Sequence, residues 1–313
     1  MVAIKSRLTS MFCLFLVAAC HQQSNVAPKG ILPNVTSALS DTIHFEELTG
    51  KHWIVINTIF QDSIPAKLIV DNGTKWVIYL DQAFAIQKRL ISDSTEEKKY
   101  QEQRLPFRIN HIRDTAVNTI IFDLKGIVGK VPDGLLGHDF LAKYIVEINY
   151  KKRYLFLHNG ASFQPPNGFL SIPMRKNSPK DTKRKIQLSF FLKGGKRIQD
   201  EAVLDLGQGS NELFFAGGAT RKHDLLQFVK GQEPKVLGRY VTSEENFGYE
   251  IQTDSIHLGG VSIKNVRASL STSTTGISGA DMISFGNGLL RNFGVVFLDL
   301  SNNKLFLPSC QMQ

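Results

Sequence analysis

The feature that most narrows the fold is a stretch that occurs twice. Leu68-Ile69-Val70 leads into Asp71-Asn72-Gly73-Thr74, and a second apolar run, Trp76 to Leu80, follows. Further on, Ala202-Val203-Leu204 leads into Asp205-Leu206-Gly207-Gln208-Gly209, and Leu213-Phe214-Phe215 follows. Taken alone, Asn72-Gly73 between β-formers reads as a tight hairpin turn, because both residues tolerate positive φ. The flanks argue against that reading. They are almost continuously apolar, as strands buried on both faces are, and the carboxylate stands at the same point of both copies.

The surroundings of each carboxylate repeat as well. Trp53 to Phe60 has a strand pattern, Gln61-Asp62-Ser63 can turn, and Ile64 to Val70 returns to Asp71. Ile186 to Leu192, the Gly194-Gly195 turn and a return to Asp205 have the same order, which makes the chain an internal repeat. After each Asp-x-Gly the pattern predicts an apolar strand and a helix, Asp81 to Ile91 with Asp81 as N-cap, and Ala219 to Val229. Ser94 with Glu97 is a capping-box signal for a further short helix, then charged chain runs to Arg104, and β pattern resumes at Phe107–Ile109 and Thr119–Leu124.

A second shared block follows in each half. Asp133-Gly134-Leu135-Leu136-Gly137-His138-Asp139-Phe140-Leu141 runs into a closing hairpin that ends at Leu157, and Ile283-Ser284-Phe285-Gly286-Asn287-Gly288-Leu289-Leu290 runs into another that ends at Leu307. Between the halves, 158–185 carries Pro165-Pro166, Asn167-Gly168 and Pro179 and should hold the boundary. At 313 residues and 42% hydrophobic content the chain can bury two cores. The expected lobes are 45–160 and 161–310.

The first residues are set apart. Lys5 and Arg7 precede a short apolar run that ends Val17-Ala18-Ala19-Cys20, which resembles a bacterial lipoprotein signal. The resemblance implies a leader over 1–19, lipidation of Cys20, and a flexible tether over 20–44 that contains Pro28 and Pro33. Of the three cysteines, Cys13 would leave with the leader and Cys20 would carry lipid. Cys310 would then be the remaining thiol, with no intrachain disulfide.

The net charge of +9 suits anionic lipid or polyanionic envelope material. Much of it lies in Arg175 to Lys185, read as a solvated loop; it lacks the aromatic residues of a base-stacking surface, so no nucleic-acid partner is expected. The eight histidines are scattered without metal-ligand spacing, and neither a dinucleotide loop nor a Gly-x-Ser-x-Gly elbow occurs. No metal and no cofactor are expected.

Together, the repeated apolar-Asp-x-Gly and the later glycine behind bulky apolar residues resemble the two-lobed, pepsin- or retropepsin-like aspartic peptidases. Asp133 to Leu141 with Glu147-Ile148-Asn149-Tyr150 is similar, more narrowly, to the bacterial secreted or lipoprotein form. The resemblance covers about 45–308. It implies a mainly β, bilobal fold of two related barrel lobes with short helices and an active site between them. Asp71 and Asp205 would be the catalytic pair, close enough that they share one proton; one would take a proton from water while the other donates to the scissile carbonyl. Gly73 and Gly207 would let the loops approach, and Gly137 and Gly286 would brace them. A covering flap would lie near Phe107 to Asp123.

Where the family has Thr or Ser after each Asp, this chain has Asn72 and Leu206. Leu206 has no hydrogen-bonding side chain, so at least half of the usual grip between the loops should be missing. Thr74 keeps the hydroxyl three residues after Asp71, and Gln208 replaces it in the second half. The resemblance implies an envelope-anchored, monomeric aspartic endopeptidase facing the periplasm or cell exterior, with a peptide or protein substrate. The alternative is a catalytically degenerate relative that binds peptides or proteins.

Overall fold

A computed structural model describes residues 42–48, 51–91, 101–124, 132–209, 212–239, 245–276 and 279–309. The expected leader, Cys20, most of the tether, the Ser94/Glu97 cap and Cys310 lie outside these residues.

The chain opens on three antiparallel strands, β1 (Thr42–Glu47), β2 (Ile54–Phe60) and β3 (Ile64–Val70). β3 leads into the Asp71 loop, after which come β4 (Ile78–Asp81) and the short helix α1 (Gln82–Gln87). Asp81 caps that helix as expected, its carboxylate accepting from Phe84 N. A long hairpin, β5 (Gln101–Ile109) and β6 (Ile112–Phe122), comes next. It is followed by β7 (Gly134–Leu136), α2 (His138–Leu141), β8 (Ile145–Asn149), β9 (Tyr154–His158) and β10 (Phe169–Pro173).

The second half repeats the plan. β11 (Arg184–Leu192) and β12 (Arg197–Leu204) form the hairpin that delivers Asp205. Then come β13 (Leu213–Phe215), α3 (Gly217–Lys222), a 3-10 turn at Leu225–Val229, β14 (Lys235–Arg239), β15 (Glu245–Leu258), β16 (Val261–Lys264) and β17 (Arg267–Ser271). The half closes with β18 (Ile283–Phe285), α4 (Asn287–Leu290), β19 (Val295–Asp299) and β20 (Lys304–Pro308).

Pairing shows the repeat more plainly than sequence does. β7 lies between β3, to which it is parallel, and β4, to which it is antiparallel, and β4 runs parallel to β6. β18 lies in the same way between β12 and β13, and β13 runs parallel to β17. The continuous apolar flanks have their reason here. Leu68 and Val70 enter the main core while Ile69, between them, packs with Trp53, Val55, Leu124 and Leu135 on the other face. Burying each such side chain contributes about 1.5–3 kcal/mol. β11 instead alternates, with Ile186, Leu188, Phe190 and Leu192 inward, because only one of its faces is covered.

The two halves share a sheet. β8 of the first pairs with β19 of the second from Ile145↔Asp299 to Asn149↔Val295, and β10 pairs with β20. The fold is mainly β and bilobal, as expected, with a 12-stranded and an 8-stranded sheet among the described residues.

Four local expectations need correction. The first strand begins at Thr42, ahead of the expected lobe start at 45, and β5 begins at Gln101 where charged, mobile chain was expected. The segment between the halves holds β10. The predicted helix Ala219–Val229 is split, because Asp224 turns to φ 52° between α3 and the 3-10 turn.

Candidate active site

Each Asp loop starts in the same way. Asp71 N donates to Leu136 O and Asp205 N to Phe285 O, both at 2.9 Å, so the strands β7 and β18 set where the carboxyls leave the sheet. Within each loop the glycine turns its N–H back on the carboxylate: Gly73 N to Asp71 Oδ1 at 2.7 Å and Gly207 N to Asp205 Oδ1 at 2.9 Å. Thr74 Oγ1 donates to the Asp71 carbonyl at 3.2 Å. In the other loop Gln208 replaces that hydroxyl contact with its backbone, N to Asp205 O at 3.1 Å.

The loops meet through their glycines. A Cβ on Gly207 would stand 2.6 Å from Asp71 Cγ, and one on Gly73 would stand 3.1 Å from Asp71 Oδ1 and 3.3 Å from Asp205 Oδ1. A side chain at Gly207 would therefore displace the Asp71 carboxyl, and one at Gly73 would crowd both carboxyls. Gly137 and Gly286 serve packing behind the loops: a Cβ would fall 1.9 Å from Trp76 O at the first and 2.1 Å from Asp205 O at the second.

Burial and then the neighbouring Asp205 charge push the Asp71 carboxyl up to about 7, against the pull of the Gly73 and Thr74 N–H groups. Burial also raises Asp205, opposed by Gly207 N–H and Lys183. Two carboxyls placed so cannot both ionise easily, and the arrangement favours one proton held by the pair.

The side-chain grip between the loops comes from one side, Asn72. Asn72, fully buried, donates from Nδ2 to Leu204 O at 2.9 Å and accepts at Oδ1 from Leu206 N at 2.7 Å. One amide thus makes both a donor and an acceptor bond across the interface. Leu206 adds no side-chain bond, but its carbonyl accepts from Asn287 Nδ2 at 2.7 Å, and Asn287 Oδ1 accepts from Tyr150 OH at 2.8 Å. Trp53 Nε1 donates to Gly207 O at 2.7 Å.

Sequence reasoning missed Asn287, Tyr150, Trp53 and Arg184. Arg184, expected in a solvated loop, is the largest fully buried side chain. Its Nη1 donates to the carbonyls of Asp181 and Thr182, and its Nη2 reaches Leu300 O at 3.0 Å and His138 Nε2 at 2.9 Å. His138 therefore accepts at Nε2 and turns Nδ1 toward Asp139 Oδ1 at 3.2 Å. A signal was present: the guanidinium opens the apolar alternation of β11.

The expected flap segment is the β5–β6 hairpin, whose turn is held elsewhere. Asn110 Nδ2 donates to Thr42 O at 2.7 Å, and the turn lines an open cavity of about 640 Å³ with Asn57, Lys67 and Asp133, in which neither Asp71 nor Asp205 takes part.

Fold and loop geometry define the class as a bilobal, aspartic-peptidase-like β protein. No family model and no curated protein matches the chain. Among solved structures it is similar to conglutin gamma, a basic 7S globulin from lupine seeds, with TM-score 0.52 and 9% identity over 86% of this chain and 94% of that one. It is also similar to an aspartic proteinase from Irpex lacteus, with TM-score 0.51 and 11% identity over 85% of this chain and 96% of that one. A retropepsin-like aspartic protease from Rickettsia conorii covers 45% of this chain and 89% of its own, at 18% identity and TM-score 0.31. The first two likenesses support the fold, and since they carry the names of a globulin and a proteinase, the fold alone does not decide activity.

Proposed function

We propose that the protein is an envelope-anchored aspartic endopeptidase that cleaves peptide bonds through Asp71, Asp205 and an activated water. The observation that carries the reading is the approach of the two carboxyls, with Gly73 against both and Gly207 against Asp71. With one proton on the pair, the ionised carboxyl accepts a proton from water as it attacks the scissile carbon. The protonated one donates to the carbonyl oxygen, and a tetrahedral diol forms. The Gly73 and Gly207 N–H groups stabilise the negative charge on the pair. Which carboxyl takes which part belongs to the pair as a whole. Asn72 supports activity rather than decay, because it holds the second loop at Leu204 and Leu206, on either side of Asp205. The anchor is the part of the reading that rests on Cys20.

A peptide in which the scissile carbonyl is replaced by a tetrahedral carbinol tests the catalytic part. An enzyme binds such a mimic far more tightly than the matching amide, so calorimetry should show a preference of about 10²-fold or more that disappears in Asp71→Asn. Equal affinity for carbinol and amide would favour the binding protein over the peptidase.

A further inference from the structure

The cavity beside the β5–β6 turn is a built site in its own right. Ile56, Phe60, Ala66 and Leu68 enter the main core, and alternation along β2 and β3 turns Asn57, Ile59, Pro65 and Lys67 to the other face. Register aligns the rows there. Ile59 stands opposite Pro65 of β3 on one side and Arg108 of β5 on the other, so the three side chains share a face. Asn57 and Lys67 form the neighbouring pair, and Asp133 Oδ2 accepts from Lys67 N at 2.8 Å. The cavity over these residues measures about 640 Å³, a size that holds a small ligand.

Its charges are unevenly spent. Lys67 Nζ is taken by Glu46 Oε2 at 2.8 Å. Among the described residues the Arg108 guanidinium, which lines the cavity, makes no ion pair or side-chain hydrogen bond, and its Nε is buried without a partner. A buried donor left unmade is unfavourable. Arg113 of β6 pairs directly with Arg108 across the hairpin, and like charges placed opposite each other destabilise a sheet. A bound anion would relieve both.

We propose that this cavity binds a carboxylate with a short branched apolar body, the carboxylate on Arg108 and the body against Ile59 and Pro65. The planar fork of a guanidinium matches the two oxygens of a carboxylate. With Lys67 neutralised by Glu46, Arg108 and Arg113 against Asp133 leave one net positive charge, which suits a single carboxylate better than a phosphate dianion. Asn57 and Asn110 also line the cavity, and their amides can pair with a peptide group. The source these amides favour is the C-terminal residue of a peptide. The site holds neither Asp71 nor Asp205 and does not depend on the peptidase reading.

Calorimetric titration of the full chain with N-acetylleucine, N-acetylleucine amide and 4-methylpentanoate tests it. N-acetylleucine should bind, its amide should bind at least about tenfold more weakly, and Arg108→Gln should remove that preference while Arg108→Lys keeps part of it. Asp71→Asn should bind as wild type does. Tighter binding of N-acetylleucine than of 4-methylpentanoate would uphold the site for peptide C-termini, and equal binding of the two would uphold it for free carboxylic acids. Equal affinity for acid and amide, or no binding up to roughly 10 mM, would overturn the proposal. So would binding that survives Arg108→Gln and is lost in Asp71→Asn, which would move the carboxylate to the carboxyl pair.

Discussion

Residues Asp71 and Asn72 do opposite work at the lobe interface, and each makes a measurable prediction. Because the Asp71 carboxyl is raised to about 7 in the fold, folding binds a proton. The stability it contributes is complete below the unfolded value near pH 4 and is lost as pH rises toward 7. Asp71→Asn keeps the acceptor for Gly73 N and removes the buried charge. It should match wild type near pH 4 and exceed it by about 1–3 kcal/mol at pH 8 in urea unfolding; a variant equally stable or weaker at pH 8 would deny that the charge is strained. Asn72→Ala should cost about 2–4 kcal/mol at all pH values, because Leu204 O and Leu206 N are left buried without partners. A loss under 1 kcal/mol would show that the amide is not the tie it forms in the structure.

At the scale of elements, the brace α2 and strand β11 are joined by Arg184. Its guanidinium meets three carbonyls and one imidazole. Arg184→Met keeps most of the volume and strands those acceptors, so a loss of about 1–3 kcal/mol is expected in chemical unfolding. Peptide cleavage should suffer as well, through the segment Asp181–Arg184, whose Thr182 Oγ1 donates to the Gly73 carbonyl at 3.4 Å; a variant of wild-type stability and activity would make that segment incidental. The same elements show what could be read from sequence. The Asp71 and Asp205 hairpins were legible because apolar runs broken by Asp-x-Gly are local signals. Arg184 was hidden by its neighbours Lys180, Lys183 and Lys185, since charge density suggests solvent and only long-range packing reveals a buried guanidinium. The break at Asp224 was hidden too, for apolar periodicity continues through Leu225 to Val229 while the backbone at φ 52° does not.

For the whole molecule, the internal repeat disclosed two lobes, but nothing local could disclose that β8 pairs with β19 across the chain. Such register depends on where distant strands end up, not on their composition. The same limit applied to the site. Glycines and carboxylates were visible, and so was the lack of a hydrogen-bonding side chain at Leu206; the ties of Asn287 to Leu206 O and to Tyr150 were not, because they depend on long-range packing. The proposed anchor belongs to this scale as well. Cys20→Ser should release the protein from the membrane fraction into the soluble one, seen by fractionation and by loss of lipid mass; an unchanged membrane fraction would reject lipidation as the tether. The proposed peptidase activity requires that the two lobes make one working carboxyl pair. Cleavage of a mixed peptide library between about pH 4 and 7 by wild type, Asp71→Asn and Asp205→Asn tests it most directly. Wild type should cleave, with activity that fades as the pair loses its last proton, and each variant should lose roughly 10³-fold or more. Folded wild type that cleaves nothing, or either variant cleaving as wild type does, would contradict it.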